Sequence, residues 1–137
     1  MLVRWLGAFA LTQLVELPLY AHALREAVPS RARWAWAGLP SALTHPLLWW
    51  VFPSVAGRLG YVGAVMSLEL VVVVVEAVAL RTIVAGARST TTTASHLGTE
   101  PTSFLAGSRY GPWVVAAVAN GASVAAGALS RALFAWP

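Results

Sequence analysis

Three glutamate residues of this chain lie inside long apolar stretches, where a carboxyl group is costly and therefore informative. They are Glu16, Glu69 and Glu76, and the chain contains five acidic residues in all, none of them aspartate. A charged side chain at the centre of a lipid bilayer costs about 2.5–3.5 kcal/mol on the translocon scale. These glutamates must therefore face a protein interior, remain protonated or pair with a positive charge. A binding site for a proton or a cation would meet these conditions.

Further polar side chains occur at matching depths in the other apolar stretches. If successive helices alternate in direction, Glu16, Glu76 and Asn120 reach a similar depth, with His45 just beside them, at a rise of about 1.5 Å per residue. We therefore predict a buried polar cluster to which each helix contributes one group. The candidate binding or transport residues are Glu16, His45, Glu69, Glu76, Asn120, Thr44 and Gln13, with Ser41 nearby, and no catalytic residue is assigned.

The predicted cluster contains nitrogen and oxygen donors that suit a divalent metal ion. Glu16, His45 and Glu76 are three ligands of the kind that bind Zn²⁺, Mn²⁺ or Fe²⁺. This candidate metal site rests on depth alone, because the sequence contains neither an H-E-x-x-H motif nor a Glu-x-x-His pair. His96 and Glu100, four residues apart in a polar loop, are a weaker metal signal.

Missing residue types exclude several classes of chemistry. The chain has no cysteine, which excludes thiol catalysis, disulfide bonds and cysteine-based metal sites. All nine basic residues are arginine, so no lysine is present to form a Schiff base. The sequence also lacks a G-x-S-x-G nucleophile motif, a phosphate-binding loop and a dinucleotide fingerprint.

The amino-acid composition is typical of an integral membrane protein. It is 58% hydrophobic and 10% charged, with a mean hydropathy of +0.71, whereas a soluble domain carries about 25% charged residues. Four apolar stretches are each close to the ~20 residues that a helix needs to cross a bilayer. We predict an all-α fold, with residues 1–137 forming a single transmembrane four-helix bundle. The predicted spans are about 2–24, 34–55, 59–84 and 113–134, and a polar cytoplasmic loop covers about 88–112.

The arginines predict an orientation and a set of partners. Six of them flank the loops that follow the first and third spans, and three lie on the opposite side. The positive-inside rule then places those two loops in the cytoplasm and both termini outside. Phospholipid headgroups and topology explain the net charge of +4 better than nucleic acid does. The expected partners are the lipid bilayer and either further copies of this chain or a larger membrane complex.

The third span carries a stripe that we predict to face the interior. Glu69 and Glu76 are seven residues apart, so they share one helix face about 10 Å apart. Val73 and Leu80 complete that face. A separation of this size is too large for a direct pair between the two carboxyl groups.

The fourth span carries small residues at a spacing of four, at Ala117, Gly121 and Ala125. Small side chains at this spacing let helices approach closely. The pattern predicts close packing either within the chain or between copies in an oligomer.

Short motifs extend over nearly the whole chain. They are Glu16-Leu17-Pro18, the segment from Thr44 to Trp49, the segment from Glu69 to Ala77, and Asn120 with Ser123 and Gly127. Together they resemble the pattern of small four-span bacterial membrane proteins that are uncharacterised. The resemblance implies a helical fold in the bacterial cytoplasmic membrane, and it implies no particular activity.

Three hypotheses of function follow from the predicted cluster. The leading one is a carrier or channel that moves a cation or is coupled to protons, in which Glu16 and Glu76 bind the ion, His45 acts as a switch or ligand and Asn120 orients them. One alternative is a membrane-embedded, metal-dependent enzyme that acts on lipid. The other is an accessory or scaffold subunit, in which the polar residues only pair helices.

Overall fold

The computed structural model describes residues 2–92, 105 and 108–134, and their regular structure is entirely helical. Helix α1 covers Leu2–Ala23 and continues into a short 3-10 turn at Leu24–Glu26. Helix α2 covers Ser30–Thr92, and helix α3 covers Gly111–Phe134. The predicted all-α class is therefore confirmed for this part of the chain.

The connection between α1 and α2 is short and held by hydrogen bonds. The backbone N–H of Val28 donates to the carbonyl of Leu24 at 3.0 Å, which closes the end of the 3-10 turn. The guanidinium of Arg33 reaches back from α2 and donates to the carbonyls of Arg25, at 3.0 Å, and of Val28, at 3.4 Å. These bonds satisfy carbonyl groups that a helix end leaves without partners, so α1 and α2 enter the fold at a defined angle.

Helix α2 is interrupted at one residue, Gly60, whose φ of 71° and ψ of 171° are not helical. We call residues 30–59 the N-terminal arm of α2 and residues 61–92 its C-terminal arm. Thr44 precedes Gly60 by 16 residues (60 − 44) and Glu76 follows it by 16 (76 − 60), yet their side chains lie 3.0 Å apart. Sixteen helical residues extend about 24 Å, so this contact requires the two arms to fold back on each other as an antiparallel hairpin.

The hairpin corresponds to the predicted spans of about 34–55 and 59–84, but the break is the single residue Gly60, which falls inside the predicted third span. Chain reversal is concentrated at Gly60, and the rings of Phe52 and Tyr61 pack edge to face beside it at 5.6 Å between centroids. Pro40, Pro46 and Pro53 all lie inside the N-terminal arm. The structure thus contains three helices but four helical segments, counted within the described residues.

Many large apolar side chains are exposed, while several polar groups are buried beside the hydrophobic core. Glu16 and Glu76 are each 1% exposed, whereas Leu14 is 74% and Trp50 82% exposed. In water such a surface would be strongly unfavourable, because large apolar patches are normally covered. Two helical stretches are long and apolar enough to cross a membrane, Ser30–Ala87 within α2 and Gly111–Leu133 within α3, by length and composition. Helix α1 is not among them.

The predicted stripe of residues on the C-terminal arm of α2 faces inward, whereas the stripe of small residues on α3 faces outward. On the C-terminal arm, Glu76 and Leu80 are fully buried, as predicted for this stripe. Val73, which packs against the core, and Glu69 are both partly exposed. On α3 the stripe of small residues at 117, 121 and 125 is exposed, and the neighbouring face at 116, 119 and 120 is buried. The small stripe is therefore not used for packing among the described residues.

The predicted polar loop of about 88–112 is described only in part, at residues 88–92, 105 and 108–112. Its first residues, up to Thr92, belong to helix α2. His96 and Glu100, the weaker metal signal, lie outside the described residues.

Candidate functional site

The carboxyl group of Glu76 is the centre of a buried hydrogen-bond network. Its Oε2 atom accepts hydrogen bonds from the hydroxyl of Tyr20 and from Nδ2 of Asn120, the latter at 2.6 Å. Its Oε1 atom accepts one from the hydroxyl of Thr44 at 3.0 Å. Each donor comes from a different helical segment, namely α1, α3 and the N-terminal arm of α2. Glu76 therefore joins all four segments at one point.

The donors around Glu76 are themselves held in place. Nδ2 of Asn120 lies 3.3 Å from the Tyr20 hydroxyl and 2.9 Å from the carbonyl of Ala116, one turn earlier on α3. The Thr44 hydroxyl also lies 3.2 Å from the carbonyl of Pro40. Because Thr44 carries only one hydroxyl hydrogen, it can donate to Pro40 when Glu76 is protonated and to Glu76 when Glu76 is ionised. The network can therefore accommodate either protonation state of Glu76.

Tyr20 is part of this site, although the sequence analysis did not include it. Its side chain is 0% exposed. Tyrosine near the end of an apolar stretch is normally interpreted as an interfacial residue. Its spacing could have predicted a buried position, because Tyr20 follows Glu16 by four residues and therefore lies on the same helix face.

Glu16 forms a second buried carboxyl site next to the first. The hydroxyl of Ser41 donates to its Oε2 atom. The Ser123 side chain on α3 is also within reach, and Glu76 is close enough for the two carboxyl groups to interact electrostatically. We call Glu16 and Glu76 the carboxyl pair. Burying two carboxyl groups in one interior is costly unless hydrogen bonds, a proton or a cation compensate for their charge.

Glu69 lies at the margin of the site. It is on the same arm as Glu76, about two turns away, and is close enough to it for an electrostatic interaction. Its side chain is only partly buried and makes no hydrogen bond within the described part of the chain. Glu69 therefore lies beside the network and outside its hydrogen bonds.

His45 lies close to the site but faces aromatic rings. Its ring centroid is 5.1 Å from that of Phe9 and 6.3 Å from that of Trp5. Its Nε2 atom is buried and has no hydrogen-bond partner among the described residues, and the same is true of Nε2 of Gln13. His45 follows Thr44, which contacts Glu76, but its ring packs on Phe9 and does not join the carboxyl pair.

The candidate metal triad of Glu16, His45 and Glu76 is not assembled in this arrangement. Among the described residues, no three acidic, histidine or cysteine side chains converge on a common point. The physical reason is the direction of His45, whose ring packs against α1 at Phe9 while the carboxyl pair lies nearer Ser41 and Thr44. Among the described residues, the three predicted ligands are therefore not brought together.

The site contains no cationic side chain within the described part of the chain. An ion pair joins Arg25 and Glu26 at 3.5 Å in the turn after α1, away from the site, and both of its side chains are exposed. Every donor to the carboxyl pair is a neutral hydroxyl or amide group. The arrangement is thus chemically suited to take up and release a positive charge.

Comparison with protein-family models, with curated proteins and with solved structures finds no match to this chain.

Proposed function

We propose that this chain is a multi-pass protein of the bacterial cytoplasmic membrane in which the carboxyl pair binds a proton or a cation during transport. The exposed apolar side chains and the buried polar groups support a lipid environment. The membrane-competent stretch in α2 has 58 residues, which as one straight helix would extend about 87 Å, far more than the ~30 Å of a bilayer core. The fold-back at Gly60 allows each arm to make one crossing.

One observation carries the proposal of ion binding. Glu16 and Glu76 are both buried, interact electrostatically and accept hydrogen bonds from neutral donors, and no positive side chain of the described chain is paired with them. A purely structural polar contact needs no ionisable group, since an amide of similar shape can also form hydrogen bonds with such partners. Acids kept in a membrane interior generally mark paths of ions or protons.

Transport also needs a pathway, and four helical segments enclose little space. We propose that copies of the chain associate to form it, and the exposed stripe at Ala117, Gly121 and Ala125 on α3 supports this because small residues permit close helix contact. Both termini are proposed to lie outside, following the arginine distribution.

The proposal predicts that glutamine at position 16 or 76 abolishes ion movement without unfolding the protein. Purified protein is reconstituted in liposomes, and uptake is measured under a proton gradient and under Na⁺ and K⁺ gradients in separate experiments. We expect Glu16→Gln and Glu76→Gln each to reduce the ion-driven flux by at least about 100-fold, because the charge-accepting group is lost. Glu26→Gln is the matched control, since Glu26 is an exposed acid in the turn after α1. Unchanged flux in both buried-site variants would contradict the proposal.

A scaffold role is the second candidate, and the connectivity of Glu76 favours it. A group bonded to three other helical segments fixes their relative positions, which is what a subunit that docks onto a partner requires. In that case Glu76→Gln would leave every assay of ion movement unaffected, and Glu76→Ala would weaken co-purification with the partner in proportion to its loss of stability.

A further inference from the structure

A groove with a volume of about 350 Å³ lies between the end of α1 and the beginning of α3. Its size is within the range of about 300–1,000 Å³ that is typical of small-ligand sites. None of the described residues that line it donates a hydrogen bond to the carboxyl pair. The groove is therefore a separate feature of the fold, at the end of the bundle where α1 ends and α3 begins.

The walls of the groove are apolar on both helices. Leu19 and Ala23 line it from α1, and Val114 and Val118, which are one turn apart, line it from α3. The buried side chain of Leu105 also contributes to the lining. Leu19 is 37% and Val118 58% exposed, so the groove leaves apolar surface that a ligand can cover. Walls of this kind favour a hydrocarbon chain over a polar ligand.

Three exposed polar side chains form what we call the rim of the groove, where α1 passes into the 3-10 turn. They are His22, Arg25 and Glu26. Nε of Arg25 lies 3.5 Å from Oε1 of Glu26, and Nη1 of Arg25 lies 3.3 Å from Nε2 of His22. A guanidinium group has five N–H donors, so Arg25 retains N–H groups for a further ligand. The rim therefore presents one positive and one negative group next to each other.

The order of these groups along the groove matches that of a phospholipid in a bilayer. Val118 precedes Asn120 of the buried network by two residues, whereas Arg25 and Glu26 lie beyond the end of α1. The apolar part of the groove is thus nearer to the middle of the bundle than its charged rim. A phospholipid likewise has its acyl chains inside the membrane and its charged headgroup at the surface.

The charges of the rim select a class of headgroup. A guanidinium group binds a phosphate through parallel hydrogen bonds. The carboxylate of Glu26, 3.5 Å from Arg25, repels a headgroup that carries only negative charge. An ammonium group on the same headgroup removes this repulsion and can donate hydrogen bonds to the carboxylate. Phosphatidylethanolamine carries both groups, whereas phosphatidylglycerol carries the phosphate without an ammonium.

We propose that the groove between α1 and α3 binds a zwitterionic phospholipid, with its phosphate at Arg25, its ammonium at Glu26 and an acyl chain along the apolar walls. An exposed ion pair is weak by itself, so both charged groups of the rim are available to the ligand. The inference rests on the membrane location in the proposed function and is independent of ion movement. Because the groove shares no residue with the network around Glu76, Glu26→Gln is expected to alter lipid binding while ion flux is unchanged.

The test measures the affinity of the purified protein for phospholipids by native mass spectrometry. Phosphatidylethanolamine and phosphatidylglycerol with identical acyl chains are titrated in separate experiments. We expect phosphatidylethanolamine to bind about tenfold more tightly, a factor typical of one charged hydrogen bond. Arg25→Gln should weaken the binding of both lipids by about tenfold for the same reason, whereas Glu26→Gln should abolish only the preference. Arg31→Gln, at an exposed position in the first turn of α2 and outside the groove, is the matched control and should change neither affinity.

A substitution in the apolar wall tests the position of the acyl chain. Val118→Trp adds bulk at a position that is 58% exposed, so it fills the groove without entering the core. We expect it to weaken the binding of both lipids several-fold and to leave the preference between them unchanged. Circular dichroism checks that the helical content is retained.

Equal affinity of the wild-type protein for the two lipids would overturn the proposal, and so would equal effects of Arg25→Gln and Arg31→Gln. Displacement of the lipid by inorganic phosphate at the same concentration would also overturn it, because the apolar walls would then contribute nothing. If any of these results is found while Glu16→Gln abolishes ion flux, the lipid site is wrong and the proposed function stands. If the headgroup preference is found but Glu16→Gln leaves ion flux unchanged, the lipid site stands and the proposed ion binding fails.

Discussion

Replacing Glu76 by alanine is expected to lower the free energy of unfolding by about 3 kcal/mol, because it leaves a cavity and removes the common acceptor of three buried donors. The Tyr20 hydroxyl loses its only acceptor in the network, whereas Asn120 and Thr44 keep the carbonyls of Ala116 and Pro40. Stability is measured by reversible unfolding in mixed micelles, with helicity followed by circular dichroism.

Glu76→Gln is the matched control for that loss, and we expect it to change stability by less than about 1 kcal/mol. The glutamine oxygen can accept from Tyr20 and Asn120, and its NH₂ group can donate to Thr44, whose hydroxyl then donates to Pro40. Ion movement is nevertheless lost, since the amide does not ionise. Equal destabilisation by alanine and by glutamine would show that the network depends on the charge and would contradict the hydrogen-bond arrangement described above.

Gly60→Ala is expected to destabilise the protein by about 1–3 kcal/mol, because its backbone lies in a region that is essentially restricted to glycine. With φ at 71° and ψ at 171°, any side chain is strained there. A Cβ atom at Gly60 would meet nothing within 4 Å, so the cost arises from the backbone and not from crowding. The same unfolding assay measures it.

Gly57 is a matched position three residues earlier on the same arm. It is helical, and a Cβ atom there would also meet nothing within 4 Å. Gly57→Ala should therefore be neutral or stabilising by about 0.5–1 kcal/mol. If the two alanine variants behave alike, Gly60 is not the point of chain reversal, and the antiparallel hairpin of α2 is wrong.

The helical class and the depth of the polar groups could be predicted because both depend on simple periodicity. Apolar stretches of about 20 residues specify helices in lipid. Position along each stretch then places Glu76 and Asn120 at one level, and their side chains are 2.6 Å apart. The inward direction of Glu76 followed from its spacing to Leu80, which is also fully buried.

The contacts of His45 and Tyr20 could not be predicted, because the depth of a residue in the membrane does not specify its rotation around the helix axis. His45 has the expected level but is turned toward Phe9 and Trp5. Tyr20 was missed for the opposite reason, since its type suggests a membrane interface while its rotation places it beside Glu76. The predicted spans end near 55 and begin again near 59, and only the backbone angles at Gly60 show that one residue makes the break.

The most direct test of the central claim is whether the carboxyl pair changes its protonation state under working conditions. Difference infrared spectroscopy of the reconstituted protein during a pH jump detects the C=O stretch of protonated carboxyl groups. We predict a pH-dependent carboxyl band that is lost in Glu16→Gln or Glu76→Gln and retained in Glu26→Gln. A spectrum in which no pH-dependent carboxyl band can be assigned to Glu16 or Glu76 would contradict the account and leave the polar network with a structural role.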